Sequence, residues 1–270
     1  MAHSTILTDT AALDRNRSRA ARAAPALFLH ELVADEIQDR LGEVNRTFTE
    51  PAIITPWPVV WQDRLAGARI VPDAEVLDLQ PGAHDLVIHA LALHWANDPV
   101  GQMIQAARAL RPDGLFIGVL FGGQTLAELR AVLAEAEAEV SGGLSPRVLP
   151  MGEIRALGGL LQRAGLALPV ADSQTHDVSY RDAFHLMRDL RAMGEGNALA
   201  GRLRRCTGRG VLGRAAALYA QHYGRDDRVH ATFETVFLTA WKPHESQQKP
   251  LRPGSAAHRL ADFLGEGTGT

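Results

Sequence analysis

The sequence predicts an α/β fold on a mostly parallel sheet, and three observations lead there. Short apolar runs that suit buried strands recur at Pro51–Thr55, Ala68–Val71, Asp85–Ala90 and Leu115–Leu120. Segments long enough for helices separate most of them, and strands and helices that alternate in this way form βαβ units with parallel strands. The 270 residues, 46% hydrophobic and 22% charged, suffice for one domain with a sizeable core.

Each element follows from local chemistry. Residues 1–24 are polar and rich in Arg and Ala, which reads as a flexible, solvated arm or a short helix. Leu29, Leu32, Val33, Ile37 and Leu41 fall at helical spacing, so Ala26–Leu41 is an amphipathic helix. After the first strand, Trp57–Ala66 is expected to form a helix with Pro58 in its first turn and Gly67 closing it. Pro81-Gly82 turns the chain into the strand Asp85–Ala90. Asp98 supplies an N-cap and Pro99 a first-turn proline for a helix reaching about Leu110. Arg111-Pro-Asp-Gly114 then leads into Leu115–Leu120, and Thr125–Val140 is the next helix.

The second half continues the pattern with a helix Met151–Ala164 ended by Gly165 and a strand near Leu166–Ala171. A helix Tyr180–Met193 is broken by Gly194-Glu-Gly196, and a further helix Ala215–His222 precedes a last strand at Thr232–Trp241. The expected domain spans 25–242, with a helical insertion around 176–225. From Pro243 to the end, Pro, Gly, Ser and Gln dominate, so 243–270 is expected to be an extended tail without a core.

A net charge of −3 gives no general attraction to polyanions, so nucleic acid is not an expected partner. The single cysteine, Cys206, excludes an internal disulfide and a multi-cysteine metal site, which suits a reducing compartment. No apolar run approaches the roughly 18 residues that a bilayer span needs, and the expected location is cytoplasmic.

Two patterns invite a functional reading that their context resists. Gly208-Arg-Gly210-Val-Leu-Gly213 has dinucleotide-fingerprint spacing, yet it follows Arg204-Arg-Cys206 instead of a strand, so a loop and helix start is expected. His84, His89 and His94 lie close in sequence, but His84 and His89 point to opposite faces of one strand, which argues against a shared metal ion.

The segments Asp85-Leu-Val-Ile-His-Ala-Leu-Ala-Leu-His-Trp-Ala-Asn-Asp98 and Leu110–Arg130, the latter containing Phe121-Gly-Gly-Gln-Thr-Leu-Ala-Glu-Leu-Arg130, carry a more specific signal. Gly142–Pro146, Met187–Asn197, Trp241–Gln247 and Arg252–Ala256 extend it along nearly the whole chain. Together they resemble the complex I assembly factor 5 family, within the class I S-adenosylmethionine-dependent methyltransferase superfamily. The Leu-His-Trp segment is also similar, less closely, to the biotin-pathway methyltransferase that acts on a malonyl carrier protein. The first resemblance implies a Rossmann-like methyltransferase fold with an antiparallel last strand. It also implies a partner that is a respiratory-complex subunit, modification of an arginine, and a peripheral place at the inner membrane.

Relatives carry an Asp-x-Gly-x-Gly sequence after the first strand, where glycines let the backbone approach the cofactor. Here the place holds Ile53-Ile-Thr-Pro-Trp-Pro-Val-Val-Trp61, and prolines and indoles cannot reproduce that cradle. The interval from Ile53 to Leu86 is also too short for a complete pair of crossovers, so the fold is expected to be shortened by one strand–helix unit. By resemblance, Asp73 and Ala74 meet the adenine of S-adenosylmethionine, while Ala92, Leu93, His94 and Trp95 floor its pocket. Two outcomes stay open. Either the pocket works, or Trp57 and Trp61 fill it and the chain serves as a protein-binding assembly module; a small-molecule methyltransferase is a third reading. If an arginine is the target, Glu128 is the candidate carboxylate, with a Thr-x-x-Glu capping box from Thr125 as its structural alternative.

Overall fold

The structure, a computed structural model, describes residues 6–247. Among these residues, seven helices surround a mixed sheet. The helices are α1 (Thr10–Arg22), α2 (Phe28–Glu43), α3 (Pro99–Ala109), α4 (Ala127–Ser141), α5 (Ile154–Arg163), α6 (Ala183–Ala192) and α7 (Arg209–Tyr223). The strands are β1 (Pro51–Ile54), β2 (Arg69–Val71), β3 (His84–His89), β4 (Leu110–Phe121), β5 (Ala167–Tyr180), β6 (Gly224–Arg225) and β7 (Arg228–Trp241).

The sheet runs in the order β2-β1-β3-β4-β7-β5, with the two-residue β6 paired to β7. β2, β1, β3 and β4 are mutually parallel, in registers such as Ile53↔Ile70, Ile53↔Ile88 and Ile88↔Ile117. β7 lies antiparallel between β4 and β5. This is the mostly parallel sheet with an antiparallel last strand that the sequence led us to expect. Between β1 and β2 the chain makes one 3-10 turn, Pro58–Val60, and between β2 and β3 it makes no helix. Among the described residues only two strands therefore precede β3, in line with the shortened fold.

Side-chain alternation along the strands builds one core on each face of the sheet. Ile53, Leu86, Ile88 and Ile117 pack with Leu29 and Ile37 of α2, Leu129 and Val132 of α4, and Leu218 of α7. Their neighbours Ala52, Ile54, Val87 and Phe116 point the other way, onto Met103 and Ala106 of α3 and Leu157 and Leu161 of α5. Asp98 caps α3 as expected, its carboxylate accepting from Gly101 N at 2.8 Å.

Four expectations need correction. Residues 10–22 are a helix and not a solvated arm: Asp9 accepts from Ala12 N at 3.0 Å, and Ala12, Leu13 and Ala20 are buried. Upstream of it, Asn97 Oδ1 accepts from Leu7 N and Thr8 N at 2.9 Å each, tying this end to the loop after β3. Trp57–Ala66 is not a helix. Trp57 N donates to Thr55 Oγ1 at 3.1 Å, which with Pro56 and Pro58 holds a tight turn, and both Trp57 and Trp61 go into the core. The strand near Leu166–Ala171 runs on to Tyr180, so residues 176–180 belong to the sheet and not to a helical insertion. Its second half, Asp172–Ser179, is polar because β5 is an edge strand. α4 starts at Ala127, two residues later than expected, since Thr125 Oγ1 exchanges hydrogen bonds with the backbone of Glu234. Of the expected tail, residues 248–270 lie outside the described residues.

Candidate active site

Ligands in open parallel sheets bind beyond the carboxyl ends of the strands. Here the loops after β1, β2, β3 and β4 and the loop after α6 meet at that end. Two chambers among them have Trp95 in their walls, and a third, more open hollow of about 390 Å³ is lined by Thr55, Pro56, Pro58 and Asp73.

The first is a polar cleft of about 430 Å³, roofed by α1 through Leu13, Asp14 and Arg17 and walled by Asp73, Ala74, Ala92 and Trp95. Asp73 is paired: Arg17 Nη1 donates to Oδ1 at 3.0 Å and to Oδ2 at 2.8 Å, with both side chains mostly buried. Ala74 is fixed through its carbonyl, which accepts from Gln102 Nε2 at 3.1 Å. Gln102 Oε1 in turn sits 2.6 Å from His89 Nε2, so the ring proton is on that nitrogen. Burial pushes the His89 ring down to about 4, and it is neutral at physiological pH. Of the segment Ala92–Trp95, only its two ends line the cleft. Leu93 belongs to the core between the sheet and α3, and His94 turns inward against Phe121, ring centroids 4.8 Å apart.

The two indoles of the loop after β1 are core residues. Trp57 and Trp61 are 4% and 1% exposed. Trp57 stands edge-on to His30 and reaches the loop after α6, where a Cβ on Gly194 would lie 3.3 Å from Trp57 Cζ2 and 3.0 Å from Arg17 Cγ. Gly194 has φ of +80°, so this position needs glycine for both its backbone and the close approach.

The second chamber is a mostly apolar cavity of about 170 Å³, lined by Phe121, Leu129, Met151, Met187 and Phe233, with Glu195 and Trp95 between it and the interior. Glu195 Oε2 accepts from Trp95 Nε1 at 2.6 Å and is 3.2 Å from His94 Nε2. Its side chain is only 9% exposed. Burial alone pushes this carboxyl up, but the His94 ring, the Arg17 guanidinium and the Trp95 N–H hold it below the usual carboxylate range. It is therefore a buried anion at physiological pH.

Glu128 lines neither chamber. Its carboxylate accepts from Thr232 N at 3.2 Å and from Thr232 Oγ1, pinning the first turn of α4 to β7. The expected capping box does not form, because Thr125 is committed to Glu234. The three neighbouring histidines serve separate bonds: His84 Nδ1 to Glu50 O, His89 to Gln102 and His94 to Glu195. Gly208 is the N-cap of α7, a loop and helix start. Sequence reasoning missed Arg17 and Glu195. The signal for Glu195 was present in the Gly194-Glu-Gly196 break, where two glycines frame one charge.

Residues 57–118 match the family described as a methyltransferase domain. The chain is 40% identical over 195 residues to the mitochondrial arginine-hydroxylase NDUFAF5 of Danio rerio, a match covering 72% of this chain and 60% of that one. It is 41% identical over 188 residues to the Homo sapiens protein of the same name, covering 69% and 54%. A malonyl-acyl-carrier-protein O-methyltransferase of Laribacter hongkongensis is 36% identical over 189 residues, covering 70% and 61%. The chain thus spans little more than half the length of the curated relatives it matches.

Proposed function

We propose that this chain, whose residues 57–118 match a methyltransferase-domain family and which is similar to mitochondrial arginine-hydroxylases, has a class I methyltransferase fold and engages one arginine side chain of a respiratory-complex subunit during assembly. The observation that carries this reading is the pair of adjoining chambers sharing Trp95. Small-molecule sites usually enclose about 300–1,000 Å³. The cavity at Glu195, about 170 Å³, falls below that range and suits a single side chain, whereas the cleft, about 430 Å³, falls within it. A site for one side chain beside a site for a small molecule is what a protein-directed group-transfer fold needs.

S-adenosylmethionine is the small molecule that the superfamily implies. What speaks against its fit as the cleft stands is that Arg17 already donates to both oxygens of Asp73, and that Pro56, Trp57 and Pro58 stand where the resemblance places the glycine cradle. We therefore derive no step through that cofactor and read the chain as an arginine-engaging assembly protein on a methyltransferase fold. Its place of action is the surface of the inner membrane; among the described residues no helix is long and apolar enough to cross a bilayer.

Fluorescence anisotropy with labelled peptides from the arginine-bearing segments of complex I subunits tests the first reading. Binding of an arginine peptide, lost when methionine replaces that arginine, is expected. Equal binding of both peptides, or of neither, would overturn it. Titration calorimetry with S-adenosylmethionine is expected to show no heat at millimolar ligand, and robust heat would restore the enzyme reading.

A further inference from the structure

Glu195 is an anion in an apolar surrounding, and such a charge is costly unless strong partners meet it. Its direct partners are one indole N–H and one imidazole, both on Oε2, with the Arg17 guanidinium adding its field from beyond hydrogen-bond reach. Oε1 makes neither of those bonds, and the residue lines the 170 Å³ cavity. The loop that presents it cannot slide. Gly194 is wedged under Arg17 and Trp57, a Cβ on Gly196 would lie 3.1 Å from Asn16 Nδ2, and that amide donates to Gly196 O at 2.9 Å. Two close approaches to α1 and the loop after β1 therefore set the height of one carboxylate in the cavity.

The rest of the cavity suits a cation on an aliphatic stem. Phe121 and Phe233 line it with aromatic rings, which attract a guanidinium, and Leu129 and Met187 offer apolar contact to methylenes. Of the two cations at the rim, Arg147 is neutralised by Glu137 at 2.5 Å. Arg191 is solvent-exposed, where its field is screened.

Resting on the reading of an arginine target, we propose that Glu195 is the specificity-determining residue, and that an incoming guanidinium takes both carboxylate oxygens and displaces the Trp95 N–H from Oε2. A planar fork of N–H donors matches a carboxylate bidentately, which a single indole N–H cannot do. Because Trp95 lines both chambers, its release also alters the wall between the cavity and the cleft.

The test uses the full chain labelled with ¹⁵N, the Trp95 indole signal being assigned through Trp95→Phe. Titration with n-butylguanidinium is expected to move that signal to saturation, while the neutral isostere n-butylurea leaves it in place. Glu195→Gln is expected to weaken n-butylguanidinium binding at least about tenfold, the loss of a charge-assisted pair. An indole signal that ignores n-butylguanidinium, or that answers equally to n-butylurea, overturns the assignment. Unchanged affinity in Glu195→Gln does so too. If n-butylguanidinium moves the signal but no arginine peptide is captured, the assignment of Glu195 stands and the assembly reading falls. Capture of the peptide with an unmoved indole has the opposite meaning.

Discussion

Arg17 Nη1 lies 2.8 Å from Asp73 Oδ2 and 3.0 Å from Oδ1, joining the roof of the cleft to the loop after β2. Among the described residues Arg17 Nε and Nη2 are buried without partners, so Asp73 supplies the hydrogen-bonded charge that offsets this guanidinium. Asp73→Ala is accordingly expected to cost about 3 kcal/mol, as for other buried pairs broken from one side. The double variant Arg17→Met with Asp73→Ala, which leaves no stranded charge, should recover most of that loss. Urea unfolding measures both, and a double variant as unstable as the single one would refute the pairing.

Trp57 is expected to behave as core. Trp57→Gly should lose about 3–5 kcal/mol in urea unfolding, the usual cost of emptying an aromatic site. The variant should also show no heat with S-adenosylmethionine, because Arg17 still holds Asp73. Recovered cofactor binding would mean that the indole merely blocks an otherwise working pocket.

Acid sensitivity should come from two histidines. Burial lowers His30 and His89 from 6.5 to about 4. A histidine whose folded value lies below its unfolded one binds more protons when unfolded. Its contribution is fully present above pH 6.5 and is lost as pH falls towards 4, on the order of 3 kcal/mol per group. Urea midpoints taken from pH 7 to 4 should fall, and His89→Gln should flatten the slope. A slope unaltered by that change would show that His89 titrates normally.

Glu128 and Glu195 should separate cleanly. Glu128→Ala removes the acceptor for Thr232 and should cost about 1–3 kcal/mol, while arginine-peptide binding in the folded protein is retained. Weaker peptide binding by folded Glu128→Ala, seen in anisotropy, would return Glu128 to the site.

The sheet was legible because its strands are buried on both faces and read as continuous apolar runs. β3 is buried at all six positions, and Asp85–Ala90 stood out for that reason. Helix α3 was equally plain, since Asp98-Pro99 is a start signal that tertiary context did not override. The second half of β5 was hidden: a strand with one free edge has no need of apolar side chains, so Gln174-Thr-His-Asp177 offers no apolar run to mark it. The turn at Trp57 was misread because the spacing Trp57, Val60, Trp61 suits a helix, while Pro56 and Pro58 and the burial of both indoles favour a tight turn. The identity of the site carboxylate was beyond sequence reasoning. Glu128 and Glu195 differ in what they meet across the fold, Thr232 in one case and Trp95 with His94 in the other, and no local pattern encodes that.

The position of β7 bears on how the polypeptide reaches its native state on the ribosome. Of the described strands, the one synthesised last is an interior member of the sheet, with β4 on one flank and β5 on the other. Until residues 228–241 emerge, both neighbours expose unsatisfied backbone edges, a state prone to self-association. Nascent chains halted before Arg228 should depend on holdase chaperones, and release of that strand should be the event that ends this dependence.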